Sequence, residues 1–259
     1  MAGSRVRRRY AAVVQLIEEP SVTPERIRQR ATTLTARLRE AAERAGRDPN
    51  AVRIVAVTKG FGEPVVRAAL EAGQRALGEN RVQEAEPKVE AHPDAEWHLV
   101  GHLQSNKARR ALALFRTIHS VDSLELLARL DRLAHDESRR PALLLQLNLS
   151  GEERKAGFAA DWFAEQAARP GELTAALAAL GAARVTGLMT MARAGAGDAE
   201  QHATFARLRE LRERLAQASG QDLPELSMGM TADAEAAVAE GATLVRIGTA
   251  LFGPRPDRH

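Results

Sequence analysis

Apolar residues along the chain gather into short, nearly continuous runs. Longer stretches separate them, in which apolar residues recur every three or four positions. The runs are Val52–Thr58, Ala76–Gly78, Trp97–Gly101, Thr117–Val121, Ala142–Leu149, Arg184–Met189, Glu225–Met228 and Leu244–Ile247. A run such as Ala142-Leu143-Leu144-Leu145-Gln146-Leu147 lacks polar alternation, which suits a strand covered on both faces. The intervening spacing predicts helices over Glu63–Ala72, Arg81–Ala91, Ser105–Ala113, Ser123–Asp136, Ala159–Leu180, Ala199–Ala218 and Ala232–Glu240. One more helix leads the first strand. Thr23-Pro24-Glu25 supplies a cap, a proline for the first turn and an early acid, and Gly46 and Pro49 close the helix near Ala45. Residues 1–22 read as a tail with a short helical stretch near Ala11–Glu18, and residues 23–259 as one domain. Each return between strands is long enough for a crossover to a parallel neighbour. Eight such units favour a closed (β/α)8 TIM barrel with an extra N-terminal helix over an open doubly wound sheet.

Composition narrows the chemistry. The 259 residues are 44% hydrophobic and 27% charged, as in a globular protein, but only 3% aromatic, so alanine, leucine and valine must fill the core. The formal net charge is +3, and the arginine runs come with no nucleic-acid recognition motif, so they read as solvated faces. The absence of cysteine excludes disulfides, thiolate nucleophiles and cysteine metal sites, and no metal site is expected. The apolar stretch after the first arginines is cut by Glu18, Glu19 and Pro20, so neither a signal peptide nor a membrane span is expected. Gly60-Phe61-Gly62-Glu63-Pro64-Val65 lacks the third glycine of a dinucleotide fingerprint, and no phosphate-binding G-x-x-x-x-G-K-[ST] occurs.

The active face of a barrel lies at the carboxyl ends of its strands. Those ends carry Lys59; Glu79-Asn80; Gly101 with His98 just inside; Ser120 and Asp122; Asn148; Met189-Thr190; Ser227-Met228-Gly229; and Gly248-Thr249. A lysine closing a buried strand can be partly desolvated, which lowers its pKa and makes it a nucleophile toward carbonyls. A solvated strand-end lysine is the plainer alternative. The segments Ser227-Met228-Gly229-Met230-Thr231 and Gly248-Thr249-Ala250 are small, hydroxyl-bearing and glycine-containing, and they follow the two strands where barrels often hold phosphate. Arg246 shares its strand face with Gly248. If it enters the barrel mouth it needs an acceptor, either a ligand ring nitrogen or phosphate, or a neighbouring carboxylate. A lysine opposite a phosphate cup fits an aldehyde cofactor tethered at both ends, as pyridoxal phosphate is. A phosphosugar carbonyl is the competing ligand.

Six segments together resemble the pyridoxal phosphate homeostasis protein family, single-domain relatives of the alanine racemase N-terminal barrel. They are Val55-Ala56-Val57-Thr58-Lys59; Gly78-Glu79-Asn80-Arg81-Val82-Gln83-Glu84; Trp97 to Lys107; Gly187-Leu188-Met189; Leu226-Ser227-Met228-Gly229-Met230-Thr231-Ala232-Asp233; and Val245 to Gly253. The resemblance implies a barrel of the alanine racemase kind (pyridoxal phosphate fold type III) with pyridoxal 5'-phosphate in Schiff-base linkage to Lys59. It implies that Asn80 and His98 line the cofactor site, that Ser227, Gly248 and Thr249 hold the phosphate, that Arg246 faces the pyridine nitrogen, and that Met189 and Met228 help to form the pocket. It also implies a cytoplasmic monomer serving vitamin B6 and amino-acid homeostasis. Amino acids and pyridoxal-phosphate-dependent apoenzymes would be its further partners, and no nucleic acid or membrane would be. Two positions depart from the pattern. Arg81 stands where tyrosine is common after Gly-Glu-Asn, and Gly60-Phe61-Gly62 replaces a short polar stretch.

A fixed positive charge at Arg246 would keep the pyridine nitrogen unprotonated and weaken the ring as an electron sink. Racemisation would then need bases on both faces of the substrate, with Lys59 as one. The single tyrosine, Tyr10, lies in the tail, and the chain lacks the second, β-rich domain of racemases. A non-catalytic binding protein is therefore expected, with a pyridoxal-phosphate-dependent racemase as the alternative. His98 or His102 could carry a proton. Lys107 and Lys155 are candidates for anion or transient cofactor contact.

Overall fold

The structure, a computed structural model, describes residues 22–152 and 156–255. The expected tail helix near Ala11–Glu18, Tyr10 and Lys155 lie outside these residues. The leading helix α1 spans Pro24–Arg44, and the Thr23 hydroxyl accepts the Arg26 N–H at 3.3 Å, as the capping sequence predicts. Its buried stripe is Ile27, Ala31, Leu34, Leu38, Ala41 and Ala42.

The strands are β1 Arg53–Val57, β2 Ala76–Glu79, β3 Glu96–Leu99, β4 Thr117–Val121, β5 Ala142–Asn148, β6 Phe158–Ala159, β7 Arg184–Met189, β8 Glu225–Ser227 and β9 Leu244–Ile247. The helices after α1 are α2 Glu63–Glu71, α3 Val82–Ala91, α4 Ala108–Leu114, α5 Leu124–Asp136, α6 Ala160–Ala168, α7 Glu172–Ala178, α8 Asp198–Ser219, α9 Ala234–Ala239 and α10 Thr249–Phe252. The lateral order β4-β3-β2-β1-β9-β8-β7-β5 closes through β4–β5 pairing, giving an eight-stranded barrel in which every pairing is parallel. The expected barrel with a leading helix is therefore observed. α1 packs against α2, α9 and α10.

Three local expectations change. The helix expected over Ala159–Leu180 divides into α6 and α7, because Arg169-Pro170-Gly171 interrupts it and proline cannot continue the backbone ladder. The strand pair β5–β6 precedes that division and lies outside the barrel's own closure. The helix expected from Ser105 starts as a 3-10 turn over Ser105–Lys107 without a side-chain cap, and α4 follows it. The short helix α10 was not anticipated.

Most of the apolar core lies between the strands and the surrounding helices. Among the described residues, a small buried apolar cluster of Val55, Leu144, Met189 and Leu244 lies inside the barrel, with Ala76, Val100 and Met191 packed against it. Barrels of this size are ordinarily filled by layers of branched apolar side chains. Here polar groups take much of that space. The bond from His119 to Ser227, at 2.8 Å, joins β4 to β8, which are not neighbours, so it must cross the interior. His98, His119, Ser227 and Arg246 are all at most 5% exposed.

Candidate cofactor site at the carboxyl ends of the strands

Lys59 stands two residues beyond β1, in phase with Val55 and Val57. It is half-buried and makes no hydrogen bond or ion pair among the described residues. Burial lowers its pKa, and the positive charges of Arg255 and then Arg246 lower it further, against a weaker opposing pull from Glu79. Arg255 reaches it from beyond α10, where its Cδ stands 3.1 Å from the position a Cβ on Gly60 would take. The anchorage beneath Lys59 is ionic. Thr58 Oγ1 donates to Glu79 Oε1 at 2.6 Å, and Lys88 Nζ from α3 donates to the same oxygen at 2.6 Å and to the Thr58 carbonyl at 3.0 Å. All three side chains are buried, and Glu79 Oε2 has no partner.

Arg246 on β9 donates through Nη1 to Ser227 Oγ at 2.7 Å and through Nη2 to the Thr190 carbonyl at 2.9 Å. No carboxylate forms an ion pair with it among the described residues. Burial lowers its pKa to about 10, with Asp233 opposing. Of five guanidinium donors, two are therefore anchored.

The turns after β8 and β9 face one another. Gly229 adopts φ +87°, and a Cβ there would stand 2.6 Å from that of Ala237. Gly248 passes so close to β1 that a Cβ would lie 3.3 Å from the Val57 carbonyl oxygen. Gly229 requires glycine, and Gly248 leaves little room for a side chain. The Asp233 carboxylate shapes the first turn by accepting the Met230 N–H at 2.6 Å. Across the second, the exposed Thr231 hydroxyl accepts the Ala250 N–H at 3.4 Å.

The anticipated residues thus fall into layers. Lys59, Asn80, Gly248 and Thr249 are partly exposed at the rim, and Arg246 lies just beneath. His98 and Ser227 lie deeper, fully hydrogen-bonded, and reach the rim only through Arg246. Met189 belongs to the interior apolar cluster, whereas Met228 packs in the core between strands and helices. His102 is exposed and pairs with Asp122 at 3.1 Å. Lys107 lines a cleft of about 590 Å³ with Asn80, Arg81, Gln83, His102 and Gln104, beside the mouth.

The sequence pattern placed Thr231 within the hydroxyl-bearing segment after β8, but did not single out Lys88, Arg255 or His119. Two of these carried a signal. Lys88 stands in the buried stripe Val82-Ala85-Lys88 of α3, and strand alternation puts His119 on the face opposite Ser120.

The site suits an anionic, carbonyl-bearing ligand. Lys59, Arg246 and Arg255 bring three cationic groups to one place without a carboxylate bound to any of them among the described residues. A phosphate beside the bare turns would supply the missing negative charge. No cluster of His, Asp or Glu with metal-binding geometry occurs among the described residues, and no helix there is long and apolar enough to cross a membrane.

Comparison with known proteins decides the family. The sequence model described as "Alanine racemase, N-terminal domain" matches residues 30–256. A pyridoxal phosphate homeostasis protein of Pseudomonas aeruginosa is 45% identical over 233 residues, 86% of this chain and 93% of that protein. The chain belongs to the pyridoxal phosphate homeostasis protein family. A Synechocystis member is 41% identical over 80% of this chain and 93% of its own length. Among solved structures of the family, PipY of Synechococcus elongatus with pyridoxal phosphate bound superposes with a TM-score of 0.76 at 41% identity, over 88% of this chain and 100% of that one. An alanine racemase of Clostridium difficile shares the fold alone. Its TM-score is 0.69 at 14% identity, and this chain spans 58% of it.

Proposed function

We propose that this family member binds pyridoxal 5'-phosphate as a Schiff base on Lys59 and acts in cytoplasmic vitamin B6 and amino-acid homeostasis, holding and releasing the cofactor. The observation that carries the reading is the mouth itself. A half-buried amine with a lowered pKa stands beside a desolvated, carboxylate-free Arg246, at the end of the barrel that bears the Gly229 and Gly248 turns. The bound cofactor would supply an aldehyde for the lysine and a phosphate for the turns. Gly248 and Thr249 would receive the phosphate, with Thr231 alongside. Asn80 would border the ring, and Arg246 would present its free donors to the pyridine nitrogen. His98 and Ser227 would act from behind Arg246, while Met189 and Met228 would wall the site from below and behind.

Binding without turnover is favoured because the barrel offers no tyrosine as a second base. The chain's one tyrosine is Tyr10, so no phenol is available within residues 23–259. Amino acids and apoenzymes would then be partners in exchange of the cofactor, with the protein a monomer.

The test is direct. Protein mixed with pyridoxal phosphate and freed of excess should show a visible absorption band. Borohydride should trap one cofactor mass on Lys59, and Lys59→Ala should show neither. A band that persists in Lys59→Ala overturns the assignment, and a trapped mass equal to a phosphosugar would turn the site over to a lyase. Exchange of amino-acid α-hydrogens in deuterated water above the Lys59→Ala level would establish racemase chemistry instead.

A further inference from the structure

A single polar path runs through the barrel from floor to mouth. At the floor, Glu96 opens β3 and its carboxylate lies 3.7 Å from Arg53. His98 Nε2 lies 3.2 Å from Glu96 Oε1. His98 Nδ1 lies 2.8 Å from His119 Nε2, and His119 Nδ1 lies 2.8 Å from Ser227 Oγ. Ser227 Oγ then accepts from Arg246. The two rings meet edge to face with centroids 5.1 Å apart. Four strands contribute, and the functional reading leaves Glu96 and His119 without a role.

Proton counting gives the path a direction. Ser227 Oγ already accepts from a guanidinium, and its own hydrogen has one acceptor among the described residues, His119 Nδ1. His119 must therefore carry its proton on Nε2 and donate to His98 Nδ1. His98 in turn carries its proton on Nε2 and donates to the Glu96 carboxylate. Every member is satisfied with both rings neutral. Each unit turns its negative end toward Arg246 and its positive end toward Glu96, so the dipoles align between a buried cation and an anion.

The opposite direction fails. It needs His98 doubly protonated, and it leaves the Ser227 hydroxyl hydrogen beside a guanidinium with nothing to accept it. His119 is fully buried, and burial, with His98, Arg246 and Arg53 near it, holds its pKa well below the ordinary histidine value. The charges facing the path are Arg53 from β1, Glu96 from β3, Arg116 ahead of β4, Arg246 from β9 and, near Arg246, Asp233.

We propose that Glu96, His98, His119 and Ser227 form a one-directional hydrogen-bond relay that orients Arg246 from the far end of the barrel, making His119 and Glu96 positioning residues for the ligand site. No carboxylate pairs directly with Arg246 among the described residues, and the relay supplies one at a distance. The remaining guanidinium donors are thereby aimed at the mouth. For pyridoxal phosphate this deepens the reading above and rests on it. The hydrogen-bond direction does not.

Two measurements on the full chain decide it. Long-range nitrogen–proton correlation spectra of protein labelled at histidine should show His98 and His119 both neutral, with the proton on Nε2, at neutral pH and without ligand. A proton on Nδ1 of either ring, or a doubly protonated His98, overturns the relay. Pyridoxal phosphate affinity should fall about tenfold in His119→Leu and recover in His119→Gln, whose amide can accept from Ser227 and donate to His98. Glu96→Gln should weaken affinity several-fold, whereas Glu225→Gln, which removes a floor charge also paired with Arg53, should leave it unchanged. Equal losses in those two variants, or wild-type affinity in His119→Leu, overturn the positioning role. If wild-type protein binds no pyridoxal phosphate, the functional reading fails, and the spectra alone still decide the direction.

Discussion

Lys88 Nζ donates to Glu79 Oε1 at 2.6 Å in a fully enclosed pair beneath the Lys59 strand end. Burial pushes the Glu79 carboxyl above the ordinary glutamate range, with Lys88 and Thr58 pulling it back only in part. A pair of this kind is costly to break and easier to replace as a unit. Lys88→Met alone should destabilise the protein by about 3–5 kcal/mol, because a buried carboxylate loses its cation. The double variant Glu79→Gln with Lys88→Met should regain most of that loss in urea unfolding. Because the pair also holds the Thr58 carbonyl, Lys88→Met should slow borohydride trapping at Lys59.

Arg255 contributes more than Arg246 to the lowered pKa of Lys59. Removing a like charge favours the ammonium form. Arg255→Ala should therefore move the pH midpoint of Lys59 acylation upward, toward the ordinary lysine value. The shift is read from peptide masses after a pulse of an amine-reactive ester across a pH series. No shift would mean that Arg255 does not contribute and that burial and Arg246 set the value.

His119 is held neutral, so its folded pKa lies below that of the unfolded chain. As pH falls through the ordinary histidine range, the unfolded state takes up a proton that the folded state refuses. Stability is therefore present above that range and lost on acidification, by at most about 1.4 kcal/mol per pH unit from this group. Thermal unfolding should show the midpoint falling between neutral pH and mild acid, and falling less in His119→Gln.

Gly229→Ala should cost about 1–3 kcal/mol, since it combines a positive φ with a close approach to Ala237. It should also weaken inorganic phosphate binding measured by calorimetry. Gly46→Ala, at φ +67° with no atom within 4 Å of the added carbon, separates the two causes. It shares the backbone strain without the crowding and lies far from the cup in sequence.

The barrel was legible because strand periodicity and crossover length are local properties. Eight apolar runs, each followed by a segment long enough to return, leave few ways to pair. Lys59, Gly248 and Thr249 were legible for the same reason, since a strand's carboxyl end marks the mouth. The break at Arg169-Pro170-Gly171 was also written locally, although the apolar spacing of the flanking residues obscured it.

What the sequence by itself determined is therefore the strand order's raw material, the family resemblance and the lysine at the rim. Only the tertiary structure decided which polar residues are neighbours. His119 and Ser227 are separated by 108 positions, and Arg246 and Thr190 by 56. Their contacts exist because closure brings non-adjacent strands face to face across a narrow interior. No periodicity records that distance. It also separated Ser227 from the rim it was expected to join, because alternation turns its hydroxyl into the interior, where Arg246 and His119 already claim it.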